Sequence, residues 1–211
     1  MSEDKLKDFE SFINEEKDKR KFKQSVELAI NFKGIDFNKQ DNRLNLEVSL
    51  PNGKGRVQKV AIFASDKPLA EKARALGMDV LDGERIDAIA SDQSKLTSLL
   101  NYELLAQPNL MPTIARFLGQ FLGPRGKMPK PLLGNINLES VSNDLGKRIV
   151  IRSNGKFLPT VHCVVGTEEM PADKLYENIS EVMAVIAKKV GQNRIRSAYV
   201  KLTMSKPFRL A

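Results

Sequence analysis

Val60-Ala61-Ile62-Phe63-Ala64 is an unbroken apolar run. A strand with one face in water alternates apolar and polar residues; one apolar throughout is buried on both faces, as in a parallel sheet covered by helices. Just upstream the pattern is the opposite. Leu44, Leu46, Val48 and Leu50 alternate with Asn45, Glu47 and Ser49, the signature of a half-buried strand and of an antiparallel sheet. Pro51-Asn52-Gly53-Lys54-Gly55 separates the two, so the chain changes architecture across this break.

Downstream, helices and strands alternate. Asp66 can cap a helix running to Leu76, with Gly77 past its end. Asp79 to Leu81 reads as a strand, Asp92 to Leu100 as a helix and Glu103 to Ala106 as a strand. Met111 to Leu122 is apolar at helical spacing through Ile114, Ala115, Phe117, Leu118 and Phe121, and a further helix spans Leu138 to Leu145. The two ends of the chain resemble each other instead. Asp4 to Arg20 is expected to be a helix with Leu6, Phe9, Phe12 and Ile13 on one stripe, followed by a strand over Ser25 to Phe32. Near the other end, Arg148 to Arg152 and Thr160 to Val165 read as strands, Asp173 to Val190 as a long helix and Ile195 to Met204 as a last strand. The expected class is α/β: an α+β outer domain, residues 1–56 plus 150–211, with a Rossmann-like α/β domain, residues 57–149, inserted through a two-strand hinge, so that the two domains can change their separation.

The 211 residues are 41 % hydrophobic and 28 % charged, ordinary for a globular protein. The net charge is +8, which suits a polyanionic partner and also serves solubility. The excess is uneven: 12 basic and 11 acidic residues precede Val57, 12 and 10 lie between Val57 and Ile149, and 10 and 5 follow. The folded ends would hold most of it. A single cysteine, Cys163, excludes an internal disulfide, and with a single histidine, His162, a four-ligand zinc site is excluded too. No metal and no cofactor are expected. The charged start Met-Ser-Glu-Asp-Lys and the absence of a long apolar run argue for a cytoplasmic chain with no membrane partner.

Two nucleotide-binding patterns are approached and both fail. Gly126-Lys127 would end a P-loop, but Phe121 stands where the first glycine belongs and Met128 where Ser or Thr should hold magnesium. Gly53 and Gly55 could open a dinucleotide fingerprint, but Gln58 occupies its last position and the motif precedes its strand. No catalytic residue is expected.

Two basic segments stand out. Lys17 to Lys23 holds five cations in seven residues, either a solvated helix end favoured by the helix dipole or a polyanion contact. Gly123-Pro124-Arg125-Gly126-Lys127-Met128-Pro129-Lys130-Pro131 carries Arg125, Lys127 and Lys130 on a proline-stiffened backbone. That loop closes the middle domain or grips phosphates, for which guanidinium forks are suited.

At this loop the chain resembles the archaeal type of the large-subunit ribosomal protein L-one family, through Leu122 to Pro131 with its Lys-Met-Pro-Lys-Pro ending. Lys21 to Glu27, Leu50 to Gly55 and Ser197 to Met204 are similar to other segments of that family, in order along nearly the whole chain. The resemblance implies a non-catalytic protein whose outer domain binds large-subunit rRNA and forms the mobile stalk near the tRNA exit site. It further implies exit-site tRNA and the ribosome as partners, a monomer when free, and a repressor of translation that binds its own mRNA. Carried over by position, the RNA surface comprises Lys21, Phe22, Ser25 and Glu27 with Thr203, Met204 and Ser205, and the basic loop is a secondary site. Ser205 departs from the glycine that many relatives carry there. Judged by residue type alone, Phe22 and Met204 could equally be core residues and Thr203 a plain strand former. An enzyme acting on a nucleotide or phosphorylated substrate through the inserted domain is the competing reading.

Overall fold

The computed structural model describes residues 3–37, 39–132, 137–153 and 159–210, without the side chains of residues 3–6 and Glu84, so Leu6 of the expected stripe lies outside it. In chain order the first elements are α1 (Glu3–Glu16), β1 (Ser25–Phe32) and β2 (Asn45–Ser49). Then come β3 (Val60–Ala64), α2 (Lys67–Ala75), β4 (Asp79–Asp82), α3 (Ile86–Ser91), α4 (Gln93–Leu99), β5 (Glu103–Ala106), α5 (Met111–Leu122), β6 (Lys130–Pro131) and α6 (Leu138–Lys147). The chain closes with β7 (Arg148–Arg152), β8 (Thr160–Thr167), α7 (Ala172–Val190), β9 (Ile195–Leu202) and β10 (Phe208–Arg209).

The chain divides into two compact units, Met1–Arg56 with Gly146–Ala211, and Val57–Leu145. Gly146 to Ile149, expected in the insert, fall in the outer unit, because Arg148 and Ile149 pair with Ser49 and Val48.

The outer unit carries an antiparallel sheet ordered β10-β9-β1-β8 and a second antiparallel pair, β2 with β7. Along β1, Val26, Leu28, Ile30 and Phe32 are buried and the intervening residues are not, which is the period of 2 that a one-faced sheet imposes. That apolar face meets Phe9 and Ile13 of α1 and Leu175, Ile179, Val182 and Ile186 of α7 in one core. Helix α1 stops at Glu16, short of the expected Arg20, and Asp18 takes a left-handed φ of 58°. Phe208 of β10 stacks on Phe12 with ring centroids 5.2 Å apart.

The crossing out of β2 is pinned to α7. Asn178, wholly buried, accepts the Asn52 N–H at 3.0 Å and donates to the carbonyls of Gly53 (2.9 Å) and Val165 (2.8 Å). Gly55 has a φ of +68°, and a Cβ there would sit 2.6 Å from both Met170 Sδ and Thr167 Oγ1, so only glycine fits.

The inserted unit has a parallel sheet ordered β4-β3-β5-β6. All five residues of β3 are buried, as the apolar run requires. One face packs on α3, α4 and α5 through Ile86, Leu96, Ile114 and Leu118; the other packs on α2 and α6 through Ala73, Leu138 and Leu145. Asp66 stands at the N-cap of α2, but its carboxylate accepts from Gln107 rather than from the helix.

Candidate nucleic-acid interface

Thr203 and Met204 lie just past the end of β9, in the turn that follows it, and Lys21 and Phe22 just before β1. Because β1 and β9 are antiparallel neighbours, with Val26 opposite Leu202, the start of one meets the end of the other. Residues 178 apart in sequence therefore bond directly. The Ser25 N–H donates to Thr203 Oγ1 at 3.1 Å and the Thr203 N–H donates to the Ser25 carbonyl at 3.1 Å.

A buried polar knot holds this junction. The Glu168 carboxylate, just past β8, accepts the Gln24 backbone N–H at 2.9 Å and the Gln24 amide Nε2 at 3.1 Å. That amide also reaches the Glu16 carbonyl of α1 at 3.2 Å, and Gln24 Oε1 accepts the Met204 N–H at 3.0 Å. One side chain thus ties the ends of α1, β8 and β9 together, and both Gln24 and Glu168 are almost fully buried. Gln24 lies within a segment that carries the family resemblance, but nothing in the one-dimensional pattern marks it as structural, since its partner is 144 positions away.

Around the knot the expected residues are at the surface. Phe22 is 50 % and Met204 56 % exposed, which rules out core packing for both. Lys21 and Thr203 are exposed, and Ser25 and Glu27 lie on the solvent side of β1. Glu27 is directly opposite Lys201 on β9, so a cross-strand cation accounts for a carboxylate on this face. The β1–β8 register slips between Val26 and Glu27; such bulges re-aim side chains beside binding sites. Lys23 pairs with Glu169 at 2.5 Å, both well exposed, and such a pair contributes little to stability.

Ser205 keeps an ordinary backbone, because Asp18 is the only non-glycine with positive φ among the described residues. Its hydroxyl accepts the Leu202 N–H at 2.8 Å and donates to the Lys206 carbonyl at 2.9 Å. Serine thus replaces glycine without strain, its side chain turned into its own turn.

The basic loop is elsewhere, in the inserted unit. The Arg125 guanidinium lies 4.0 Å over the Phe121 ring and donates to the Phe121 carbonyl at 2.8 Å. Lys127 is half-buried and spans Glu103 (3.1 Å) and the Tyr102 carbonyl (3.2 Å). Lys130 sits in β6, beside Leu105 of β5. Lys127 therefore closes the loop onto the sheet, while Arg125 stays exposed.

His162, Cys163 and the inserted sheet are the places that bear on the enzyme alternative. His162 and Cys163 are adjacent on β8 and point to opposite faces: His162 is exposed, while Cys163 is buried and burial pushes its thiol up to about 12. In parallel sheets ligands bind at the carboxyl ends of neighbouring strands that part at the switch point, here β3 and β5. Gln107 ties those strand ends together, its Oε1 accepting the Ser65 N–H at 2.7 Å and hydroxyl at 2.9 Å, and an open cleft beside it is lined by Ser65, Asp66, Lys67, Pro68 and Lys72. Among the described residues no group of three or more His, Cys, Asp or Glu converges as metal ligands would, and no helix is long and apolar enough to cross a membrane.

Residues 13–206 match the family model described as the Ribosomal protein L1p/L10e family. The large ribosomal subunit protein uL1 of Methanothermobacter thermautotrophicus is 43 % identical over 190 residues, covering 88 % of each chain. That of Thermococcus kodakarensis is 42 % identical over 193 residues, 88 % of this chain and 87 % of the relative. The Thermoplasma acidophilum protein is 41 % identical over 198 residues, 92 % and 90 % respectively.

Proposed function

The chain belongs to the Ribosomal protein L1p/L10e family, and from that premise we propose that its outer unit grips a folded segment of large-subunit rRNA at the junction of β1 and β9. Membership makes the chain a structural protein of the large ribosomal subunit, associated with rRNA, and not an enzyme. The finer reading extends this. Lys21, Phe22, Ser25, Glu27, Thr203, Met204 and Ser205 form the RNA surface, and the bound protein helps to build the mobile stalk beside the tRNA exit site, within reach of the departing tRNA. Free in the cytoplasm as a monomer, it binds a similar fold in its own mRNA and represses translation.

One observation supports this most. Two exposed apolar side chains, Phe22 and Met204, and the exposed Thr203 gather where β1 begins and β9 ends, on a backbone clamped by the Gln24–Glu168 knot. RNA is recognised largely by shape, ribose hydroxyls and exposed base faces. A hydroxyl and two apolar surfaces on a rigid backbone match those needs, and rigidity lowers the entropy lost on binding.

The test is a filter-binding titration of the full chain against large-subunit rRNA, comparing the parent with Thr203→Ala/Met204→Ala. The double variant is expected to bind at least tenfold more weakly with an unchanged circular dichroism spectrum. Equal affinity removes this surface from the reading. A second titration against the leader of the protein's own mRNA tests repression, with competition between the two RNAs expected.

A further inference from the structure

The inserted unit carries a feature that the outer-unit surface leaves unused. Helix α5 buries Ile114, Leu118 and Leu122 completely, so its core side is filled. Phe117, on another face, is 43 % exposed, and Phe121 follows four residues later, a spacing that puts the two rings on neighbouring turns. The Arg116 guanidinium lies 5.5 Å over Phe117, and that of Arg125 lies 4.0 Å over Phe121. The ridge is thus an exposed ring, Phe117, with Arg116 beside it, continued by Phe121, which is partly buried against the core and is covered by Arg125 from the loop that follows the helix.

Along the chain the charge of this stretch has one sign, the exposed Asp87 on the neighbouring α3 being the acid that faces it from outside the stretch. No Asp or Glu occurs between Glu103 and Glu139, while Arg116, Arg125, Lys127 and Lys130 all do. Glu103, the acid that precedes the stretch, is engaged by Lys127. Aromatic faces and guanidinium planes are what unpaired bases stack on, and cations beside them meet the connecting phosphates.

We propose that the α5 ridge, Arg116, Phe117, Phe121 and Arg125, is a second RNA contact that takes unpaired nucleotides. It rests on the ribosomal reading only for the kind of polymer. An acidic protein would be served by the arginines but would leave the rings without a matching planar partner.

The full chain is titrated with an unstructured decameric oligoadenylate at about 50 mM salt, where phosphate contacts count most. Phe117→Ala is expected to weaken binding roughly five- to tenfold, the low end of one base–aromatic stack. Arg116→Ala is expected to flatten the dependence of affinity on salt by about 0.7 in the logarithmic slope, one single-strand phosphate contact. Both side chains are exposed, so the fold survives their loss, which circular dichroism checks. The Thr203→Ala/Met204→Ala variant keeps its decamer affinity while losing structured rRNA. A photoreactive benzoylphenylalanine replacing the exposed Gln120 is expected to label unpaired rRNA nucleotides in reconstituted large subunits. The proposal falls if the parent chain ignores the decamer, if both ridge variants match the parent, or if the label goes to a protein. A failure here with weakened rRNA binding by the outer-unit variant leaves the outer surface standing.

Discussion

Replacing Gln24 with alanine is expected to cost more than any exposed substitution at the proposed RNA surface, although Gln24 itself touches solvent hardly at all. The side chain makes three hydrogen bonds: to the Glu168 carboxylate, the Glu16 carbonyl and the Met204 N–H. A hydrogen bond to a charged group contributes about 1.5–3 kcal/mol and a neutral one about 1 kcal/mol. The Glu16 and Met204 ends are only partly buried, and water takes over some of their worth. A loss of about 3 kcal/mol follows, or a fall in Tm of about 6–12 °C for a chain of this size. Urea denaturation followed by circular dichroism measures the stability, and filter binding to rRNA measures the affinity, expected to drop about tenfold as the Thr203–Met204 turn loosens. The conservative change Gln24→Glu sharpens the test. Two carboxylates would share the knot, raising the pKa of one above the ordinary glutamate value of about 4.3. The native state then holds a proton that the unfolded chain releases, so stability falls as pH rises through that window. The Gln24→Glu penalty is accordingly largest at neutral pH and shrinks towards about pH 4.3. A Gln24→Ala loss below about 1 kcal/mol, with full rRNA affinity, would refute the view that the knot sets the site.

Three further outcomes are expected. Gly55→Ala should destabilise by about 2–4 kcal/mol, combining left-handed backbone strain with the clash against Met170 and Thr167, read from denaturant midpoints. Cys163, whose thiol burial pushes up to about 12, should resist alkylation at pH 8 until the protein is unfolded. Because its folded pKa exceeds the unfolded one, its contribution is present below about pH 8.5–9 and is lost as pH rises towards the folded value. Ser205→Gly removes the Leu202 and Lys206 hydrogen bonds and should cost about 1 kcal/mol in thermal denaturation.

The sequence pattern reveals the elements whose burial is periodic or complete. The apolar run of β3, the alternation through Leu44, Val48 and Leu50, and the faces of α5 and α7 each follow from how much of the element meets water. Short elements escape. Helix α3 buries only Ile86 and Ile89, too little for a helical period to show. Strand β6 is two residues long and ends in Pro131, an edge position that local propensity disfavours. Strand β10 is equally short, at the opposite edge of the antiparallel sheet. The surface residues of the site are legible through the family resemblance; the polar knot beneath them is not, because Gln24 and Glu168 meet only in three dimensions. The exposure of Phe22 and Met204 likewise depended on which side of the strand ends they project from.

The bond between Ser25 and Thr203 also orders events in time. During synthesis the inserted unit can close on itself while the outer sheet still lacks β9, one of the two strands that flank β1. A growing chain therefore presents only half of the proposed grip until residue 204 has emerged. Under the proposed repression of its own mRNA, unfinished molecules would not compete with finished ones for transcript, and the regulator would sense completed copies alone.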